Sequence, residues 1–151
     1  MTNSIAEIED SACIFVIGSN TTACHPLIAR RIFRAKERGA KLIVADPRNI
    51  QLSRFADVAV NHRLGSDVAL LNGMMQIIIK NGWHAGDYIT QRTEDYEILE
   101  KVVNTYTPDK VQEITGVDCR HLEHCSVPSM DLHHRREPPR CRTAWPDYSM
   151  I

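Results

Sequence analysis

One segment near the start of the chain combines a glycine with small polar side chains. It begins at Gly18, where the backbone can turn sharply and let a ligand approach closely. Its hydroxyl and amide groups can form hydrogen bonds with a ligand. A helix follows the segment, and the free N–H groups and the dipole at the N-terminus of a helix suit a phosphate. A plain turn between a strand and a helix is the alternative, and no GxGxxG pattern follows to favour an ordinary dinucleotide fold. The members of the segment are Gly18, Ser19, Asn20, Thr21, Thr22, Ala23 and Cys24.

Two further segments carry charged side chains that could bind the rest of a nucleotide. In Asp46-Pro47-Arg48 the carboxylate could accept from ribose hydroxyls or a base edge, and the guanidinium could pair with a phosphate. In Gly65-Ser66-Asp67 the carboxylate could accept hydrogen bonds from N1 and N2 of guanine. Each segment also has a purely structural interpretation. Asp46-Pro47 can end a strand, and Asp67 can complement a helix dipole.

Apolar strands and amphipathic helices alternate along the chain and must position these segments. Cys13–Ile17 and residues 42–45 are apolar runs typical of buried strands, and Val58–Val60 is a weaker third strand. Helices are predicted at residues 26–38, 67–80, 94–103 and 108–114.

This order predicts an α/β fold, namely a Rossmann-like open parallel sheet with helices on both faces, forming part of a domain. In such a sheet the loops that follow the strands share one edge, where ligands bind. The residues expected to converge at that edge are Gly18, Asn20, Asp46, Arg48 and Asp67.

Length and composition exclude several classes of protein. The chain has 151 residues, a net charge of −1 and 43% hydrophobic residues, so a charge-driven role on nucleic acid or at a membrane surface is not indicated. No apolar run approaches the roughly 20 residues that span a bilayer. The first residues resemble no secretory signal, and five irregularly spaced cysteines suggest reduced thiols. These features predict a cytoplasmic protein.

The composition changes near residue 118, and the sequence predicts a folded part at 1–118 and a tail at 119–151. The tail has no glycine or lysine, and its aliphatic residues are isolated. We interpret it as a non-native or disordered end, such as an out-of-frame translation would give. Two alternatives remain, a folded interaction tail and a zinc site. The candidate zinc ligands are Cys119, His121, His124 and Cys125.

Four stretches together resemble a known family. They are residues 17–26, 39–48, 65–73 and 106–117, and they occur in the same order and spacing as in that family. The chain resembles a fragment of the alpha subunits of formate dehydrogenases, within the dimethyl sulfoxide reductase family of molybdenum and tungsten enzymes. Sister enzymes such as nitrate reductases share the scaffold, so the resemblance identifies the cofactor better than the substrate.

The resemblance implies a cofactor and the residues that hold it. The family binds its metal between two molybdopterin guanine dinucleotides, and this segment is similar to the domain that holds one of them. Relatives often carry an acidic side chain at or beside Ala23, so one polar contact would be missing here. By motif, the residues that line the cofactor would be Gly18, Ser19, Asn20 and Cys24. Those at its nucleotide end would be Ala45, Asp46 and Arg48, and those at guanine Gly65, Ser66 and Asp67.

Other parts of the family pattern have no match in this chain. The resemblance places the iron–sulfur cysteines and the metal-ligating cysteine or selenocysteine upstream, and the catalytic arginine downstream. No catalytic residue and no metal ligand are therefore assigned, and the chain is expected to work with the rest of a formate dehydrogenase complex. A nucleotide-binding or partner-binding module without redox chemistry is the alternative function.

We predict that the 151-residue chain alone, loaded with cofactor, does not reduce a redox dye with formate. The reason is that the metal ligand, cluster cysteines and catalytic arginine of the family are not matched in it. Dye reduction is measured against a metal-free preparation as the control. Formate-dependent reduction above that control would contradict the prediction.

Overall fold

The computed structural model describes residues 4–126 and 142–143, which form two compact units that divide between Asn61 and His62. Strands and helices of the first unit are β1 (Cys13–Ile17), α1 (Thr21–Cys24), α2 (Pro26–Glu37), β2 (Lys41–Ala45), β3 (Val58–Val60) and β4 (Arg142–Thr143). It also has 3-10 turns at Ile5–Asp10 and Gln51–Phe55. The second unit is helical, with α3 (Asp67–Lys80), α4 (Gly86–Arg92), α5 (Tyr96–Val103), α6 (Pro108–Thr115) and α7 (Cys119–Ser126).

The sheet of the first unit is parallel throughout, in the order β3-β2-β1-β4. β1 pairs with β2 from Cys13 opposite Lys41 to Ile17 opposite Ala45. The helix that connects them begins at Pro26, which suits a first helical position because its missing N–H has no partner to lose. The predicted α/β fold and the pairing of these two strands are confirmed. The finer prediction of helices on both faces of the sheet stays a prediction.

The apolar core of the first unit lies between α2 and one face of the sheet. Alternate residues of a strand point to the same face. Accordingly, Ile14 and Val16 of β1 share a core with Leu42 and Val44 of β2. From α2, the buried residues that pack onto this face are Ile32 and Ala35.

An ion-pair cluster joins the first 3-10 turn to α2. The Glu9 carboxylate accepts from Arg31 Nη1 at 2.7 Å and from Arg34 Nη1 at 3.1 Å, and Arg38 lies 3.4 Å away. The hydrogen bond from Arg34 and the charges of all three arginines lower the pKa of Glu9. Three arginines of α2 and its C-terminal end therefore pair with Glu9 inside the unit.

In the second unit, α3 packs against α5, α6 and α7. Gly73 of α3 lies against Val111 of α6 and Leu122 of α7. A β-carbon at this position would lie 2.8 and 2.9 Å from the two γ-carbons of Val111 and 3.2 Å from Leu122. The absence of a side chain at Gly73 is thus what lets α6 and α7 pack closely on α3.

The structure differs from the sequence expectation at the start of the predicted tail. Cys119–Ser126 is helix α7, and Leu122 and Cys125 are buried in it. Residues three apart lie on one face of a helix, so even a two-residue apolar face suffices once a neighbouring helix covers it. The rest of the predicted tail, apart from the backbone of β4, lies outside the described residues.

Among the helices in the described part of the chain, none combines the length and the apolar character needed to cross a membrane.

We predict that Gly73→Ala lowers the free energy of unfolding by about 1–3 kcal/mol, because the added methyl group overlaps Val111. Gly86→Ala is the matched control, since no atom of the described residues beyond its chain neighbours lies within 4 Å of a β-carbon there, and its φ is ordinary. Urea unfolding of both variants and the unchanged chain measures the difference. Equal stability of the two variants would contradict the close packing.

Candidate functional site

The segment after β1 turns at Gly18 and is held by its own polar groups. Gly18 has a φ of 61°, a conformation that favours glycine, and its N–H donates to the Ala45 carbonyl at 2.9 Å. The Ser19 and Thr21 hydroxyls are 3.2 Å apart, and the Thr22 hydroxyl donates to Asn20 Oδ1 at 3.2 Å. The hydroxyls are thus engaged within the loop, whereas the Asn20 amide nitrogen has no hydrogen-bond partner among the described residues and can donate to a ligand.

A short helix occupies this segment where the sequence suggested only a loop. Thr21–Cys24 forms α1, a single turn whose first N–H groups have no acceptor within the helix. Cys24 is exposed at its end. Cys24 lies near enough to Arg48 for an electrostatic interaction, which places α1 beside the segment that follows β2.

At the end of β2, a buried carboxylate holds an exposed guanidinium. Asp46 is 1% exposed, and its Oδ1 accepts from the Arg48 backbone N–H at 2.8 Å and from Arg48 Nε at 3.1 Å. Arg48 Nη2 lies 3.3 Å from Oδ2, and the Arg48 side chain remains 66% exposed. The hydrogen bond to Asp46 raises the pKa of Arg48, so the guanidinium stays charged.

These contacts assign different tasks to the two residues. The sequence analysis gave Asp46 a direct contact with ribose or base, but its carboxylate is buried and engaged by Arg48. Asp46 is therefore better suited to orient Arg48 than to reach a ligand. Arg48 uses one edge of its guanidinium on Asp46, and the remaining N–H groups can donate to a phosphate.

Asn61 is a residue of this site that sequence reasoning missed. Its Nδ2 donates to the Asp46 carbonyl at 2.9 Å and to the Arg48 carbonyl at 3.2 Å. The side chain thereby ties the turn after β2 to the residue that follows β3. Its only sequence signal is its place directly after the third strand.

In the second unit, Gly65, Ser66 and Asp67 form the turn into α3. Gly65 has a φ of 75°, and the buried Ser66 hydroxyl donates to the Arg63 carbonyl at 2.6 Å. Asp67 is the first residue of α3, and its side chain is 47% exposed. Ser66 therefore stabilises the turn, and Asp67 carries the polar side chain that is accessible to a ligand.

His62 is a second residue that sequence reasoning missed. The His62 side chain is fully buried, and its Nε2 lies 2.9 Å from Asp67 Oδ1. The Asp67 carboxylate was expected to complement a helix dipole or bind guanine, and it forms a hydrogen bond with the buried His62 imidazole. A histidine five residues before an aspartate has no recognisable pattern in the sequence.

The structure brings together the predicted residues of each unit separately. In the first unit, Gly18 follows β1, and Ala45, Asp46 and Arg48 end or follow β2, at the carboxyl edge of the sheet. The backbone carbonyl of Ala45 accepts the hydrogen bond from the Gly18 N–H. Convergence of these residues with Asp67 of the second unit stays a prediction.

The alternative zinc site is not formed. Among the residues that the structure describes, no three His, Cys, Asp or Glu side chains are placed to hold a metal ion. Cys119 contacts Gln112 at 3.1 Å, and burial raises the pKa of the Cys125 thiol to about 12. A neutral buried thiol is a poor metal ligand, because metals bind the thiolate.

Comparison with protein families identifies the class. The molybdopterin oxidoreductase family matches residues 1–134, so the match continues past Asp118 and includes α7. The chain belongs to the molybdopterin oxidoreductase family. Membership implies a molybdopterin cofactor that carries molybdenum or tungsten.

Curated relatives and a solved structure agree with this membership. The chain is 46% identical over 117 residues to the F420-dependent formate dehydrogenase 1 subunit alpha of Methanococcus maripaludis, covering 78% of this chain and 17% of that protein. It is 48% identical over 118 residues to the F420-dependent formate dehydrogenase subunit alpha of Methanocaldococcus jannaschii, covering 78% and 18%. The structure of acetylene hydratase from Pelobacter acetylenicus superposes with a TM-score of 0.78 at 26% identity, covering 94% of this chain and 20% of that one. The chain thus spans about a fifth of the proteins it matches.

We predict that Asn61→Asp lowers the free energy of unfolding by about 1–2 kcal/mol at neutral pH, because a carboxylate would face two carbonyl oxygens. The loss should shrink in acid, since a protonated carboxyl can donate again. Asn49→Asp adds the same charge one residue beyond Arg48 and is the control. Denaturant unfolding at pH 7 and pH 4 gives both values, and equal losses in the two variants at pH 7 would contradict the role of Asn61.

Proposed function

We propose that this chain binds one molybdopterin guanine dinucleotide, as the nucleotide-holding part of a formate dehydrogenase alpha subunit. The observation that carries the proposal is the pair formed by Asp46 and Arg48 beside the turn at Gly18. A buried carboxylate holds an exposed guanidinium at the carboxyl edge of a parallel sheet, where ligands of such sheets bind.

The first unit fits the diphosphate of the cofactor. Arg48 offers the free edge of its guanidinium and Asn20 its amide nitrogen. Beyond its two chain neighbours, no atom of the described residues lies within 4 Å of where a β-carbon on Gly18 would stand, which leaves the backbone open to a ligand. Ser19 and Cys24 belong to the same segment. These are the donors and the open approach that a phosphate requires.

The second unit fits guanine. Guanine presents adjacent N1–H and N2–H donors, and a carboxylate accepts from both with its two oxygens. Asp67 is half exposed at the start of α3, and the turn of Gly65 and Ser66 sets its position. Adenine lacks this pair of donors, so the arrangement would select guanine.

When bound, a molybdopterin cofactor supplies a metal centre that exchanges electrons with the substrate. We propose formate as the substrate of the complete enzyme, oxidised to carbon dioxide, because the relatives at 46% and 48% identity carry that name. The residues of this chain would bind and orient the cofactor only. Its partners would be the remainder of a formate dehydrogenase complex, in the cytoplasm.

The range of related proteins supports a role in holding the cofactor. The chain is similar in sequence to formate dehydrogenase subunits and in structure to an acetylene hydratase, and these names denote different reactions. A segment common to proteins of different activity suits a task that those activities have in common. Cofactor binding is such a task, and substrate recognition is not.

We predict that Asp67→Ala weakens GDP binding about tenfold to a hundredfold and leaves ADP binding unchanged, because it removes the acceptor for the guanine donors. Arg48→Ala should weaken GDP and ADP alike, since a phosphate carries no base identity. Calorimetric titration of the full chain at millimolar nucleotide measures both.

Two controls match these variants. Asp87→Ala removes an exposed carboxylate from the first turn of another helix, and Arg54→Ala removes an exposed guanidinium from the first unit. Neither should change nucleotide binding. GDP that binds no more tightly than ADP, or not at all, would contradict the proposal.

A further inference from the structure

The contact between His62 and Asp67 joins a fully buried side chain to a half-exposed one. His62 Nε2 is 2.9 Å from Asp67 Oδ1. An ionised carboxylate can only accept, so Nε2 carries the hydrogen and donates it. Asp67 Oδ2 and the second lone pair of Oδ1 remain for other donors.

The rest of the imidazole has no polar partner in the described part of the chain. His62 Nδ1 is buried and makes no hydrogen bond there. A buried polar atom without a partner costs free energy, and an aliphatic residue would fill such a position without that cost. Among the described residues, the hydrogen bond to Asp67 is therefore the one that the ring makes.

The backbone beside His62 is fixed from two directions. The Arg63 N–H donates to the Thr115 carbonyl at 2.9 Å, and Arg63 Nη1 donates to the Glu113 carbonyl at 2.6 Å. The Ser66 hydroxyl closes the turn onto the Arg63 carbonyl. The turn between the imidazole and the carboxylate is thus tied to α6, and these hydrogen bonds restrain the separation of the two groups.

We propose that His62 is a positioning residue that fixes the Asp67 carboxylate for guanine and thereby sets the selectivity for the 2-amino group. This rests on the proposed function. The carboxylate can accept from N1–H and N2–H together only when its plane has one particular orientation. The hydrogen bond from Nε2 restricts rotation of the carboxylate away from that orientation. Without the bond, Asp67 can still accept from one donor but loses the paired geometry.

Two variants of nearly equal volume separate the hydrogen bond from the packing. In His62→Gln the amide nitrogen reaches about as far as Nε2 and can still donate to Asp67. His62→Met has a similar shape and no donor. The probes are GDP and IDP, because hypoxanthine keeps N1–H and lacks the 2-amino group.

We expect the preference for GDP over IDP to fall about fivefold in His62→Met and to persist in His62→Gln. In an Asp67→Ala background, His62→Met should change neither affinity further. A purely structural role would lower the thermal midpoint without changing the ratio of the two affinities. Should His62→Met fail to fold, His62→Asn replaces it, since its shorter amide cannot reach Asp67.

The outcomes distinguish the two proposals. No GDP binding by the unchanged chain, or no loss in Asp67→Ala, overturns the proposed function. Selectivity that depends on Asp67 and is the same in His62→Met, or in His62→Asn, as in the unchanged chain overturns the role of His62 and leaves the proposed function standing. Loss of selectivity in His62→Gln equal to that in the variant without a donor also overturns it.

Discussion

Ile17 and Ala45, the last residues of β1 and β2, lie opposite each other in the parallel sheet. The part of the candidate site in the first unit depends on this register. It places Gly18 directly beside Asp46, with the Gly18 N–H on the Ala45 carbonyl. The register is fixed by burial, because a slip of one residue would turn Leu42 and Val44 away from α2 and the shared core. The apolar packing of the strands thus determines which polar groups meet at their ends.

The strands and the long helices could be predicted from local sequence. Cys13–Ile17 and Val58–Val60 were predicted with the bounds observed, and so was α3 at Asp67–Lys80. The first strand and α3 combine an apolar pattern with a glycine or capping residue at an end, whereas the third strand shows only its short apolar run. The helices α1 and α4, with four and seven residues, are too short to show a period. α7 forms because α3 covers Leu122 and Cys125, a contact that sequence alone does not reveal.

The types of residue at the candidate site were predicted better than their tasks. Arg48 and Asp67 are exposed enough to meet a ligand, as expected. Asp46 is buried and serves Arg48. Asn61 and His62 were missed because their importance lies in contacts with residues 5 to 15 positions away, made only after the chain has folded.

The two units share one device. In each, a buried polar side chain holds an exposed charged one: Asp46 holds Arg48 in the first, and His62 holds Asp67 in the second. Immobilising a side chain on binding costs about 0.5–1.5 kcal/mol, and a group held in advance avoids that cost. The held charges are opposite, a guanidinium in the first unit and a carboxylate in the second. Because each pair is complete within its own unit, the preorganisation of one does not depend on the other.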